Sequence, residues 1–201
     1  MVTALSITAL TKSFRAGVAG CSARVSVLRD LDLALWPGEI VAVEGAAGCG
    51  RSTLLRCAAG LLSPESGAIH WFGARAVRRE TVAYVSAATG AECGALYAAL
   101  HAVPRHARLI VVDDLAAVGA LERRLALSLL RCYALSGAAI LVAASEELAT
   151  APVVSRALTL ANGVLVQRRK RSAVRIAVSS PDSRARASAR STYGRSLRSP
   201  Q

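Results

Sequence analysis

A glycine-rich octapeptide, Gly45 to Ser52, carries residues that could hold a phosphate group. Its sequence GAAGCGRS fits the spacing G-x-x-x-x-G-[K]-[ST], with Arg51 where the pattern has lysine. Glycines let the backbone curl so that successive N–H groups point at phosphate oxygens. The helix that begins near Arg51 adds its positive end, and the Ser52 hydroxyl can ligate Mg²⁺. The alternative is a Gly/Ala-rich connector that binds nothing.

Two adjacent acids, Asp113 and Asp114, end a second chemical motif, LIVVDD. A carboxylate at the end of a buried strand can hold Mg²⁺ through water or through Ser52, and the next acid can position an attacking water. Asp114 is therefore a candidate catalytic residue, and Ser52 and Asp113 are candidate metal ligands. The alternative, a surface turn with two acids, is disfavoured by the phosphate-type loop upstream.

Short apolar runs lead into both motifs and predict buried strands. EIVAVE ends at Glu44 before the loop, RLIVVD ends at Asp113, and a third run spans Ala138 to Ala144. Predicted helices over Ser52–Gly60, Glu92–His101 and Leu121–Leu135 alternate with these runs. This layout is typical of a parallel sheet with a ligand at its carboxyl edge.

The remaining elements are predicted from alternation and turn residues. The helix over 121–135 has an apolar face, which we expect to be buried, made of Leu121, Leu125, Leu129 and Cys132. A loop is expected over Gly17–Ser22. Strands are expected over Val2–Phe14, Val25–Leu28, Leu31–Trp36, Ala68–Trp71 and Thr81–Val85, with a hairpin around Asn162-Gly163.

Composition divides the chain into two parts. The hydrophobic fraction of 53% excludes wholesale disorder, and most of the net charge of +12 lies after Gln167. Residues 168–201 hold ten basic residues and one acid, which predicts a disordered Arg/Ser-rich tail. The tail is a candidate contact for anionic lipid or nucleic acid, and a solvated extension is the alternative. No apolar run approaches the ~20 residues that cross a bilayer, so we expect a cytoplasmic protein.

The segment Leu28 to Gly73 resembles the ATP-binding subunits of ABC transporters. The PGE turn before the loop, the GLL-P-SG turn after its helix and the closing Gly73 all fall in order. The resemblance implies an α/β P-loop NTPase (RecA-like) core with an N-terminal antiparallel β lobe over residues 1–167. It implies ATP and Mg²⁺ as ligands, with Phe14 stacked on the adenine ring. Its expected phosphate contacts are Gly45, Ala46, Ala47, Gly48, Cys49, Gly50, Arg51, Ser52 and Thr53.

The chain departs from this family at positions that serve hydrolysis. Between Val85 and Leu109 the helical subdomain is largely missing, and no LSGGQ-like signature occurs. Asp114 is one methylene shorter than the family's glutamate. Three other family residues, a glutamine, an aspartate and a histidine, align with Ala87, Ala120 and Ser145.

These departures predict ATP binding with weak or absent hydrolysis. The resemblance implies a membrane permease and a second nucleotide-binding subunit as partners, at the inner face of the membrane. A homodimer could not build the family's ATP sandwich, because that sandwich needs the signature. Two alternatives stay open: a structural or regulatory partner that no longer binds nucleotide, and a soluble ABC-like protein acting on nucleic acid.

Overall fold

Nine β-strands in two sheets and four α-helices make up the described part of the chain. The computed structural model describes residues 2–18, 21–86 and 94–167, all within one compact unit over residues 1–170. The strands are β1 Leu5–Val18, β2 Cys21–Leu35, β3 Ile40–Glu44, β4 Ser66–Trp71, β5 Val82–Ser86, β6 Leu109–Asp113, β7 Ala139–Ala143, β8 Arg156–Ala161 and β9 Val164–Gln167. The helices are α1 Arg51–Ala58, α2 Ala95–His101, α3 Ala120–Leu135 and α4 Glu146–Ala149.

The N-terminal strands form an antiparallel sheet in the order β2-β1-β4, as the resemblance implied. The prediction of a loop over Gly17–Ser22 and two separate strands after it was wrong. Instead, β1 and β2 run on as one long hairpin with register shifts. Ala9 and Asp30 take left-handed backbone conformations at these irregularities, with φ values of 51° and 46°. Such bulges break the alternation of side chains without ending the strand.

The second sheet has the order β5-β6-β7-β3-β8-β9. Its first five strands are parallel, and β9 returns antiparallel to β8 through the hairpin predicted at Asn162-Gly163. All residues of β3, β6 and β7 are buried, which explains their continuous apolar runs. Because these strands are neighbours, their carboxyl ends meet at one edge.

The two faces of the parallel sheet support two hydrophobic cores. On one face, α1 lies between the parallel sheet and the antiparallel sheet, burying Leu54 and Leu55. On the other face, residues of α2, α3 and α4 pack together with alternate residues of the same strands. Trp71 Nε1 donates a hydrogen bond to the Ala58 carbonyl at 2.7 Å, which ties β4 to the end of α1.

The helix α3 buries a different face from the one that we predicted. Its buried residues are Glu122, Ala126, Leu130 and Tyr133. Leu121 is 72% exposed, Leu125 is 45% exposed and Cys132 is exposed as well, so most of the expected apolar face points outward, and only Leu129 is half-buried. Polar bonds to α2 and to the residues just after it account for the rotation, because the Tyr133 hydroxyl donates to the Val103 carbonyl at 2.7 Å and Glu122 caps α2. The spacing of apolar residues along the helix does not predict such hydrogen bonds.

Candidate functional site

The glycine-rich loop joins the end of β3 to the start of α1. Gly50 has φ 106°, and a Cβ there would lie 2.6 Å from Cγ1 of Val27 on β2. A Cβ on Gly45 would lie 2.5 Å from the Leu160 carbonyl oxygen on β8. The loop is thus wedged between the two sheets, and only glycine fits at its two ends.

The N-terminus of α1 faces this loop without any side-chain cap. Gly50 is the N-cap residue. The first turn of α1, which the structure describes in full, contains no acid. The first N–H groups of a helix have no partner within it, and they carry the positive end of the helix dipole. The amides of Arg51, Ser52 and Thr53 therefore form a positive terminus suited to an anion.

The structure brings Ser52 and Asp113 together. The Ser52 hydroxyl donates to Oδ1 of Asp113 at 3.2 Å, and the Asp114 N–H donates to the same oxygen at 3.0 Å. Asp113 is only 1% exposed. The phosphate-type loop and the acid motif thus form one site at the carboxyl edge of the sheet.

This donor set suits Mg²⁺ that arrives with a phosphate. Hydroxyl and carboxylate oxygens are ligands that Mg²⁺ accepts, and phosphate oxygens and waters commonly complete its octahedron. Within residues 2–18, 21–86 and 94–167, no group of three or more His, Cys, Asp or Glu side chains could hold a metal. Ser52 and Asp113 would therefore supply only part of a Mg²⁺ coordination shell, and phosphate oxygens and waters would supply the rest.

Tyr84 and Arg56 belong to this site, although neither was predicted. The Tyr84 hydroxyl on β5 donates to Oδ2 of Asp113 at 2.9 Å, and burial raises the pKa of Tyr84. Tyr84 raises the pKa of the Arg56 guanidinium, and the carboxylates of Asp113 and Asp114 raise it further. The signal for Arg56 was its spacing of four residues from Ser52, which puts both on one face of α1.

The Arg51 side chain makes a hydrogen bond outside the loop. Its Nη1 donates to the Ala144 carbonyl oxygen at 3.2 Å, immediately after β7. The guanidinium thus reaches from α1 to the end of the neighbouring strand. A guanidinium has five N–H donors, so this bond leaves others for a phosphate.

The positions that depart from the family pattern have structural roles. Asp114 is half-buried in a left-handed conformation, with φ 56°, and its carbonyl accepts from the Ala117 N–H at 2.9 Å. The Ser145 hydroxyl caps α4 by accepting from the Leu148 N–H at 3.5 Å. Ala120 is the first residue of α3. Ala87 lies outside the described residues, as does the tail over 168–201.

Phe14 lies on β1, one strand away from the loop. It pairs with Val25 of β2, and Val27, whose side chain lies against Gly50, comes two residues later in β2. The Phe14 ring is 41% exposed, and the Lys12 Nζ sits 5.5 Å from its centroid. One face of the ring thus carries a cation, and the side chain remains accessible.

The short helix α2 has its N-terminus closed by the chain itself. The carboxylate of Glu122 on α3, which is buried, accepts hydrogen bonds from the Gly94 N–H at 3.1 Å and the Tyr97 N–H at 3.2 Å. These amides lie just before and within the first turn of α2. An internal carboxylate therefore occupies the place where an external anion would have to bind.

Three features define a P-loop NTPase core. They are a glycine-rich strand-to-helix loop, an acid at the end of a nearby parallel strand, and a serine that joins the two. The ABC transporter sequence profile matches residues 28–128, half of the 201-residue chain. The chain belongs to the ABC transporter family.

Curated relatives match parts of the chain. The chain is 59% identical over 49 residues to the aliphatic sulfonates import ATP-binding protein SsuB 1 of Xanthomonas axonopodis pv. citri (strain 306), covering 24% of this chain and 19% of that protein. It is 33% identical over 125 residues to the macrolide export ATP-binding/permease protein MacB of Azoarcus sp. (strain BH72), covering 52% of this chain and 18% of that protein. The chain therefore spans less than a third of the length of either relative.

Solved structures agree on the fold. An ATP-binding subunit of an ABC transporter superposes with a TM-score of 0.65 at 18% identity, covering 84% of this chain and 90% of that chain. A dimeric post-hydrolysis state of the ATP-binding cassette MJ0796 bound to ADP and Pi gives 0.62 at 15% identity, covering 82% and 98%. At these identities the likeness establishes the P-loop core and its antiparallel β lobe. Among the described residues, no helix is long and apolar enough to cross a membrane.

Proposed function

We propose that this chain binds Mg·ATP at the Gly45–Thr53 loop and hydrolyses it weakly or not at all, as the ATP-binding subunit of a transport system. The observation that carries the proposal is the hydrogen bond of 3.2 Å between Ser52 and Asp113. It joins the loop to the acid at the edge where phosphates and Mg²⁺ bind in this class of site.

Binding rests on groups that a triphosphate needs. The uncapped N-terminus of α1 offers amides, Arg51 offers a cation, and Ser52 and Asp113 offer oxygens to the metal. Bound Mg²⁺ would neutralise phosphate charge. Phe14 is exposed on the strand beside β2. The face of its ring that Lys12 does not cover would stack on the adenine ring.

Weak hydrolysis follows from the substituted positions. Asp114 must reach an attacking water with a side chain shorter than the family's glutamate, and Ser145 caps α4 in place of a histidine. General-base assistance is worth about 10²–10⁴-fold in rate, so its loss alone would leave little turnover. Arg51 adds to the loss, because a planar guanidinium does not place charge as a lysine ammonium does.

The proposed partners are a membrane permease and a second nucleotide-binding subunit, on the cytoplasmic side of a membrane. Relatives with both kinds of name support this context, including an import ATP-binding protein and an export ATP-binding/permease protein. Because no LSGGQ-like signature occurs in this sequence, the second subunit would have to supply that half of any ATP site shared with the Gly45–Thr53 loop.

A fluorescent ATP analogue tests binding. We expect saturable binding by the full chain that requires Mg²⁺ and weakens about tenfold or more in Ser52→Ala. The matched control is Ser128→Ala on the exposed side of α3. Equal binding by wild type and Ser52→Ala would remove Ser52 from the site, and no binding by folded wild type would refute the proposal.

Steady-state ATPase measurements test the second half of the proposal. We expect a rate at the background level that does not change in Asp113→Ala. Robust activity abolished by Asp113→Ala would overturn the claim of weak hydrolysis while leaving ATP binding intact.

The Arg51–Ala144 bond favours one alternative, a structural or regulatory partner that no longer binds nucleotide. In that case the guanidinium would stay on the Ala144 carbonyl, and the ATP analogue would not bind to wild type. The nucleic-acid alternative would instead give salt-sensitive DNA binding that survives deletion of residues 168–201.

A further inference from the structure

The helix α3 exposes an apolar seam with the spacing of a coiled coil. Alternating steps of four and three residues, the 3.5-residue average of a heptad seam, separate its members. The seam consists of Leu121, Leu125, Ser128, Cys132 and Leu135. All five are exposed, with Leu121 at 72% and Leu135 at 79%. Large apolar side chains aligned on one surface mark a contact site more often than scattered ones do.

One flank of this seam is basic. Arg124 and Arg131 lie seven residues apart, at equivalent positions of successive heptads, and both are exposed. Neither guanidinium has a hydrogen-bond or ion-pair partner within the residues that the structure describes. The only acid in α3 is Glu122, which is buried and committed to α2. The flank therefore presents unopposed positive charge.

A cavity of about 290 Å³ adjoins the second half of the seam. Its lining includes Cys132 of the seam together with His101 and Arg105, which come from the end of α2 and the loop after it. His101 and Arg105 thus add basic side chains on the other side of the seam, beside a recess that could receive an acidic side chain.

We infer that the α3 seam docks an amphipathic helix of another protein, with its own apolar seam and acidic residues beside it. The nearer occupants do not supply the acidic partners that this flank would need. In an antiparallel pair of two copies, equivalent flanks meet, so Arg124 would face Arg131 of the second copy. In a parallel pair of two copies, Arg124 and Arg131 would face the opposite flank of the second α3, which carries Leu129 and the buried Glu122. The 168–201 tail has ten basic residues and one acid, so it is repelled as well. This inference does not depend on nucleotide binding.

Two synthetic helical peptides test the inference on the full-length chain. Both carry three heptads with leucine at the seam positions, and they differ only in having glutamate or lysine at the flanking positions. By fluorescence anisotropy, we expect the glutamate peptide to bind about fivefold or more tightly than the lysine peptide. The double variant Arg124→Glu/Arg131→Glu should reverse that preference. Arg78→Glu/Arg79→Glu, an equal charge change at exposed residues elsewhere, should leave it intact.

The apolar contribution is tested separately. Leu121→Gln/Leu125→Gln should weaken binding of the glutamate peptide about tenfold or more. Val164→Gln/Val166→Gln, with similarly exposed valines on β9, should not. Equal binding of the two peptides, or reversal by the Arg78/Arg79 variant too, would overturn the inference. A concentration-dependent dimer by sedimentation that disappears in Leu121→Gln/Leu125→Gln would also overturn it, by assigning the seam to a second copy.

Discussion

The Arg51 guanidinium donates a hydrogen bond to the Ala144 carbonyl oxygen, 3.2 Å away, and so links the first turn of α1 to the end of β7. The same side chain stands where the phosphate-binding pattern has lysine. Arg51 therefore has two candidate roles. It links a helix to a strand, and it offers a cation to a phosphate.

If Arg51 serves the phosphate, its removal should weaken nucleotide binding. Hydrogen bonds to charged groups contribute about 1.5–3 kcal/mol, so Arg51→Ala should raise the Kd for Mg·ATP about tenfold or more. Arg51→Lys keeps the charge and should lie between wild type and Arg51→Ala. Titration with a fluorescent ATP analogue measures all three. An Arg51→Ala variant that binds as tightly as wild type would mean that Arg51 only links the helix to the strand.

Gly50→Ala should destabilise the fold and abolish binding together. The left-handed conformation costs a residue with a Cβ about 1–2 kcal/mol, and the contact with Val27 adds to that cost. Gly119→Ala is the matched control, because its Cβ would meet nothing within 4 Å and its φ is −60°. Urea unfolding measures both variants. A Gly50→Ala free energy of unfolding equal to that of Gly119→Ala would contradict the close packing of the loop.

Tyr84→Phe should lower the free energy of unfolding, because it removes the tyrosine donor from the buried Oδ2 of Asp113. Losing a hydrogen bond to a charged group predicts a loss of about 1–3 kcal/mol in the free energy of unfolding. Tyr97→Phe is the control, since the described residues give its hydroxyl no hydrogen bond. If the two variants unfolded at the same urea concentration, Tyr84 would not support Asp113.

Stability should fall at alkaline pH as the Cys57 thiol ionises. Burial raises the pKa of Cys57 from 9.0 to about 11. The folded state holds this proton more tightly than the unfolded state does, so the stabilisation is complete below pH 9 and is lost as the pH rises towards 11. One group with this shift contributes about 3 kcal/mol.

Cys57→Ala tests the alkaline loss, with Cys132→Ala as the control because Cys132 is exposed. The free energy of unfolding should fall less steeply between pH 9 and 11 in Cys57→Ala than in Cys132→Ala or wild type. Parallel curves for all three proteins would show that Cys57 does not ionise in this range.

The sequence predicted the parallel strands and the meeting of Ser52 with Asp113, because local patterns dictate both. Continuous apolar runs identify buried strands, and the carboxyl ends of adjacent parallel strands lie at one edge. The rotation of α3 and the contact of Tyr84 with Asp113 could not be predicted. They depend on hydrogen bonds between residues 29 or more positions apart, such as Tyr84 to Asp113 and Tyr133 to Val103.

Calorimetric titration of the full-length chain with Mg·ATP tests the central claim most directly. Two temperatures should be used, because binding heat can vanish at one of them. We predict a saturable heat with one site per chain, lost or strongly weakened in Arg51→Ala. A folded wild-type chain with no saturable heat at either temperature would contradict nucleotide binding and leave only the fold.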